Sequence, residues 1–280
     1  MIDRRQLLGM AAASLAAGVV PGAAHAAFAS RRIGVVARGS GPDVILIHGL
    51  DSSRSVWNGV VAAIPGYRWH LVQIAGFGGM PAGPNASGPL IDPVAAEIAR
   101  YASEQGLRAP AVIGHSMGGI IALTLGLRFP GRIGRLMVVD ILPAPAAIVG
   151  LDPATGSLFA GLAAAFGASA EGQGMMRSLM RAFGGSEDSD SAVTANALRE
   201  LAAIDLSPQL PRLRAPMTVV HAEPPRDVAD PAIVAARYRA AYARVAGVRQ
   251  VAVADSGHMV MLDQPARFAQ VVRAFLAPSA

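Results

Sequence analysis

The sequence predicts a domain of the α/β class: a mostly parallel central sheet flanked by helices on both faces, interrupted once by a helical insertion. Three observations carry this. Short apolar runs alternate with stretches of helical periodicity up to residue 142 and again from residue 217, the pattern of strands joined by crossover helices. Between them, residues 143–211 are rich in alanine, glycine and methionine and show helical spacing without strand alternation. At 280 residues and 52% hydrophobic content, the chain has enough apolar surface for one large core.

An opening strand is expected over residues 32–37, with Gly39-Ser40-Gly41-Pro42 as the turn after it. Residues 44–47 read as a buried strand ending at His48-Gly49-Leu50-Asp51, and residues 69–74 as the next strand, leading to Ala75-Gly76-Phe77-Gly78-Gly79. An amphipathic helix follows over 92–105, with Asp92 as N-cap and Pro93 at its first position. Residues 111–113 form a short buried strand, and Ile120, Leu123, Thr124 and Leu127 fall at helical intervals behind it. The strand over 136–139 ends on Asp140. Within the insertion, helical stretches cover 158–166, 174–183 and 192–204, and the polar run 184–190 reads as an exposed loop. The sheet resumes at 217–220. A helix over 231–245, a last strand over 248–253 and a final helix over Pro265–Leu276 complete the pattern.

One turn in this series has its own chemistry. Gly114-His115-Ser116-Met117-Gly118 joins a strand to a helix, and the Gly-x-Ser-x-Gly spacing has a mechanical reason. The serine backbone sits in a strained turn, where side chains at the two glycine positions would collide with neighbouring backbone. Such a turn pushes the Ser116 hydroxyl above the sheet, within reach of a base. It also sets the Met117 amide at a helix N-terminus, where partial positive charge favours a developing oxyanion.

At this segment the chain resembles the α/β-hydrolase superfamily, specifically its small lipase-like and esterase-like members carrying Gly-His-Ser-Met-Gly. The resemblance extends over essentially all of the chain beyond residue 26. It implies an α/β-hydrolase fold in which residues 27–142 and 212–280 form the core and 143–211 form a helical cap. Phe159, Phe166, Met175, Met176, Met180 and Phe183 are candidates for the cap's apolar underside. It makes His48-Gly49 the opening of an oxyanion loop, with the Leu50 amide as second donor beside Met117. His48 itself then has a packing and hydrogen-bonding role, and Trp57 fills core. Ala75 stands where many relatives carry aspartate. The string SGHMVMLDQPARF resembles the family's histidine loop, which makes His258 the general base.

The third member of a serine–histidine–acid triad stays open. Relatives usually place an aspartate a few residues beyond the strand ending near Val220, but in HAEPPRD the best-aligned position falls on Pro224 or Pro225. Other members use an acid at the end of the preceding strand, here Asp140. Asp140 is favoured, Glu223 is the alternative acid and Asp227 a third candidate, while Asp255 braces the histidine loop. A serine at position 116 argues against the carboxylate-nucleophile haloalkane dehalogenases and epoxide hydrolases of the same superfamily.

Composition removes other classes. All 24 basic residues are arginine, so serine–lysine dyads, Schiff-base chemistry and a phosphate-loop lysine are excluded. With no cysteine there is no thiol nucleophile and no disulfide framework. The net charge of +5 is spread over scattered arginines, so nucleic acid is not expected as a partner. No site for a metal, nucleotide or redox cofactor is recognisable, and the expected partner is a small-molecule ester.

The N-terminus reads as an export signal: Arg4-Arg5-Gln6-Leu7-Leu8, an apolar stretch over residues 7–20, then Ala24-His25-Ala26. The paired arginines resemble a twin-arginine signal, with cleavage expected after Ala26 and a periplasmic or secreted destination. The apolar stretch is shorter than a spanning helix needs, so no lasting membrane anchor is expected. The sequence thus points to an exported serine hydrolase acting on a carboxylic ester. Lactonase, amidase and perhydrolase or haloperoxidase activity on the same triad are alternatives, as is a non-catalytic binding protein on this fold.

Overall fold

The computed structural model describes residues 28–145 and 188–277. The N-terminal segment read as a signal and the stretches 158–166 and 174–183, with the cap residues named above, lie outside the described residues.

In chain order the elements are β1 (Ile33–Gly39), β2 (Asp43–Ile47), a 3-10 turn (Arg54–Trp57) running into α1 (Asn58–Ala63), β3 (Arg68–Ile74), α2 (Ile91–Glu104), β4 (Ala111–His115), α3 (Met117–Arg128) and β5 (Arg135–Val139). Beyond residue 187 come α4 (Ser191–Ala203), at the end of the insertion, then β6 (Met217–Glu223), α5 (Pro231–Tyr242), β7 (Arg249–Ala254), the short α6 (Val260–Asp263) and α7 (Pro265–Leu276). Among the described residues the strands form one sheet in the order β1-β3-β2-β4-β5-β6-β7. Only β1 runs antiparallel, pairing Ile33 with Ile74 and Gly39 with Arg68; the other five pairings are parallel.

Both faces of this sheet are covered, which is why its strands read as continuous apolar runs rather than alternating ones. In β2, Ile45 and Ile47 face a core built with Val72, Val112, Val138 and Val219 beneath α2, α3 and α5. Val44 and Leu46 face the opposite core, with Leu71, Ile113, Met137 and Val220 beneath α1 and α7. There Trp57, fully buried, stacks on Phe268 with ring centroids 6.3 Å apart. The core-filling role expected of Trp57 is its observed one.

The start of α2 departs from the expected capping. Its N-cap position is Leu90, without a side-chain cap, and Asp92 lies inside the first turn, paired instead with Arg128 at 2.7 Å. The carboxylate of Glu200, on α4, accepts hydrogen bonds from the amides of Leu90 and Ile91, the latter at 2.9 Å. A tertiary carboxylate thus replaces the local one at the positive end of the helix dipole.

Helix α4 is bound to the core along its length. Asp190 caps it through the amides of Ala192 and Val193, and the Asp190 amide donates to the Gly76 carbonyl at 2.7 Å. Gly79 N–H donates to the Asp188 carbonyl, and Asn196 Nδ2 donates to the carbonyls of Asn85 and Gly88. Val193 lies so close to Gly76 that a Cβ there would stand 2.5 Å from its Cγ2. Val193, Ala197 and Leu201 belong to the same core as α2 and α3.

Replacing Glu200 by Ala should lower the unfolding free energy by about 1–2 kcal/mol, the range for loss of a good helix cap. Urea denaturation of the two proteins checks this, and coincident midpoints would show that the distant cap contributes nothing.

Candidate active site

Parallel strands that share a direction bring their C-terminal ends to one edge of the sheet, and ligand sites of open α/β sheets lie outside that edge. Here the edge gathers His48 to Asp51 after β2, Ser116 after β4, Asp140 after β5 and the loop Asp255 to Met259 after β7. Five non-glycine residues among those described have positive φ, and four belong to this edge: Asp51 (53°), Ser116 (53°), Asp140 (51°) and Asp255 (52°). Such conformations cost of order 1 kcal/mol each in L-residues. They persist where surrounding packing fixes them.

Ser116 sits at φ 53° and ψ −125° between β4 and α3. A Cβ on Gly114 would strike the Gly118 carbonyl group, and one on Gly118 would lie 2.5 Å from the His48 carbonyl oxygen and closer still to that of Ile47. The glycine spacing therefore reflects backbone approaching backbone on both sides of the serine. Gly49 is close as well: a Cβ there would stand 3.1 Å from Ser116 Cβ. Met117 is the first residue of α3, so its amide has no partner within the helix. Leu50 is half-buried in the adjoining turn and packs on the core beneath α2 and α3. The next residue, Asp51, is buried and accepts a hydrogen bond from Thr194 Oγ1 on α4 at 3.1 Å.

His258 Nδ1 lies 2.8 Å from Asp140 Oδ2. An ionised carboxylate only accepts, so the ring proton belongs on Nδ1, leaving the Nε2 lone pair free to act as a base. Burial pushes the Asp140 carboxyl upward. The hydrogen bond and charge of His258, together with the Ala222 amide, outweigh it and hold the group below the usual aspartate range. Among the described residues, the carboxylate bonded to His258 is that of Asp140. Glu223 ends β6, where its carbonyl accepts from the Ser256 amide; Asp227 is exposed beyond it, and Asp255 is exposed at the head of the histidine loop.

Two more histidines brace the site. His48 Nδ1 donates to the Gly49 carbonyl at 2.8 Å, while Nε2 accepts from the Ile74 amide at 3.0 Å and from Gln73 Nε2 at 3.1 Å, tying the loop after β2 to β3. His115 Nε2 donates to the backbone carbonyl of His258 at 2.8 Å, joining the serine turn to the histidine loop. Burial lowers His48 to about 4; burial, reinforced by the charge of His258, lowers His115 to about 3. Both are neutral scaffolding. His115, Thr194 and Tyr238, which meets the other oxygen of Asp140, carried no signal in the sequence reading, since each acts through a contact distant in the chain.

A sequence model of the alpha/beta hydrolase family matches residues 44–271, and the chain belongs to that family. It is 37% identical over 106 residues to pimeloyl-(acyl-carrier protein) methyl ester esterase of Aeromonas hydrophila, a match covering 38% of this chain and 40% of that enzyme. Over 105 residues it is 32% identical to the sn-1-specific diacylglycerol lipase ABHD11 of Mus musculus, covering 36% of this chain and 33% of that one. The matched segment thus spans well under half the length of either relative. In fold, the chain is similar to a thermophilic esterase from Thermogutta terrifontis, with a TM-score of 0.71, 21% identity and coverage of 87% of this chain and 92% of that one.

The buried neutral histidines give stability a pH dependence. Their folded pKa values lie below the ordinary 6.5, so the unfolded chain binds protons that the folded one does not. Their contribution is complete above about pH 6.5 and is lost as pH falls toward the folded values. Each excluded proton adds a slope of about 1.4 kcal/mol per pH unit within the window. Urea midpoints at pH 7.5, 6 and 5 should fall in that order, and His115→Gln should flatten the trend. Equal slopes in the two proteins would refute the assignment to His115.

Proposed function

We propose that the chain hydrolyses a carboxylic ester through an acyl-enzyme on Ser116. The observation that carries this is the Asp140 to His258 hydrogen bond at 2.8 Å, made at the same sheet edge that holds Ser116 at positive φ. In this reading Ser116 Oγ attacks the acyl carbonyl carbon as its proton passes to His258 Nε2. Asp140 stays ionised, fixes the imidazole tautomer and stabilises the imidazolium. The amides of Leu50 and Met117 bind the oxyanion, each being worth about 10² to 10³ in rate. His258 then gives its proton to the departing alkoxide. Water repeats the sequence on the acyl-enzyme and releases the acid. Ester hydrolysis also appears in the names of the Aeromonas and Thermogutta proteins, which supports the reaction class without fixing a substrate.

The protein from Ala27 onward should hydrolyse short-chain or medium-chain nitrophenyl esters, with turnover abolished in Ser116→Ala. Asp140→Asn should lower kcat by about 10⁴, the scale seen when a triad acid is lost with geometry intact. Glu223→Gln should stay near wild type. If neither ester turns over and a fluorophosphonate fails to label Ser116, the binding-protein alternative takes precedence.

Export is proposed on the strength of Arg4-Arg5, the apolar stretch and the small-residue site before Ala27. Residues 1–30 fused to a folded reporter should carry it to the periplasm, and replacing both arginines by lysine should retain it in the cytoplasm. A reporter that moves equally well with the lysine pair would rule out the twin-arginine route.

A further inference from the structure

Asp140 has two carboxylate oxygens with different duties. Oδ2 faces His258 Nδ1. Oδ1 accepts from the Ala222 amide at 2.9 Å and from the Tyr238 hydroxyl at 3.0 Å. Tyr238 is buried in α5, and its ring stacks on His221 with centroids 4.7 Å apart and planes 14° from parallel. One turn further along the helix, the Tyr242 hydroxyl donates to the Ile141 carbonyl at 2.7 Å. Two tyrosines on one helix face therefore grip successive residues, one by its carboxylate and one by its backbone. Asp140, gripped by its carboxylate, has a strained backbone, at φ 51°.

We propose that Tyr238 is a positioning residue for the Asp140–His258 pair: its hydroxyl and the Ala222 amide occupy Oδ1 and orient the carboxylate plane so that Oδ2 is presented to His258. This rests on the hydrolase reading above, in which that pair prepares the base. A carboxylate offers about four acceptor positions. With one donor removed from Oδ1, the group gains freedom to rotate about its Cβ–Cγ bond and the tautomer lock weakens. The hydroxyl is suited to the task because burial, reinforced by the Asp140 charge, raises Tyr238 well above the ordinary tyrosine range and keeps it a donor. The titratable groups facing Asp140 are His258 from the histidine loop, His115 from β4, and Tyr238 and Tyr242 from α5, with Arg237 bearing on Tyr238 from the same helix.

Tyr238→Phe keeps the ring and its stack on His221, so the hydroxyl alone is tested. The proton held between His258 Nδ1 and Asp140 Oδ2 is followed by NMR, its signal identified by its loss in His258→Gln. With Oδ1 released, Oδ2 swings more freely and that proton exchanges faster with water. We expect its signal to broaden and lose intensity in Tyr238→Phe and to be unchanged in Tyr242→Phe. On a nitrophenyl ester, kcat should fall about tenfold with KM nearly unchanged. A folded Tyr238→Phe protein whose Nδ1 proton signal equals that of wild type would overturn the proposal. A broadened signal in a protein that turns over no ester would uphold the positioning role and count against the hydrolase reading instead.

Discussion

The closeness with which the first turn of α3 approaches the end of β2 governs everything around Ser116. Gly118 packs against the carbonyls of Ile47 and His48 with no room for a side chain, and Gly114 lies under Gly118 in the same way. This contact holds the start of α3 against the loop carrying Gly49 and Leu50. The parallel pairing of β2 with β4 sets the two strand ends side by side, and the glycines let the loops that follow them touch. His48, bonded on one side to Gly49 and on the other to β3, keeps the first of these loops from drifting.

The described end of the insertion is part of this framework. Helix α4 caps α2 through Glu200, seats Val193 over Gly76, and reaches Asp51 beside Leu50 through Thr194. Its apolar residues lie in the same core as those of the sheet's own helices. A segment that composition sets apart from the sheet therefore also helps to fix the loop after β2. It does so mainly through hydrogen bonds to buried or half-buried groups, which are costly to leave unmade.

The alternation of strands and helices was legible because each buried strand is a short apolar run and because helices such as α2 and α7 carry one apolar stripe. Strand limits moved by a residue or two, as β1 shows by running through Gly39, beyond the last apolar residue of its run. The glycines around Ser116 were legible for the same steric reason the structure displays. The capping of α2 was not, because the carboxylate that performs it is more than a hundred residues away in the chain. The choice between Asp140 and Glu223 could not be closed from the sequence either. β5 and β6 are neighbours and both precede β7, so an acid at either end stays within plausible reach of the histidine loop. What distinguishes them is a hydrogen bond across the sheet edge, and such a bond leaves no periodic trace. Tyr238 is hidden for the same reason, on a helix whose residues show no apolar stripe strong enough to single it out.

The order in which the parts of the site leave the ribosome has its own consequence. Ser116 lies within a single β4-α3-β5 unit and Asp140 directly after it, close in sequence and able to form from local contacts. His258 arrives only after β7, near the end of synthesis. A nascent chain lacking its last strand can already hold the serine and the acid, yet it has no imidazole to join them. In the proposed reaction a polypeptide that ends short of β7 therefore lacks its base, and the strand at the edge of the sheet brings in the last participant.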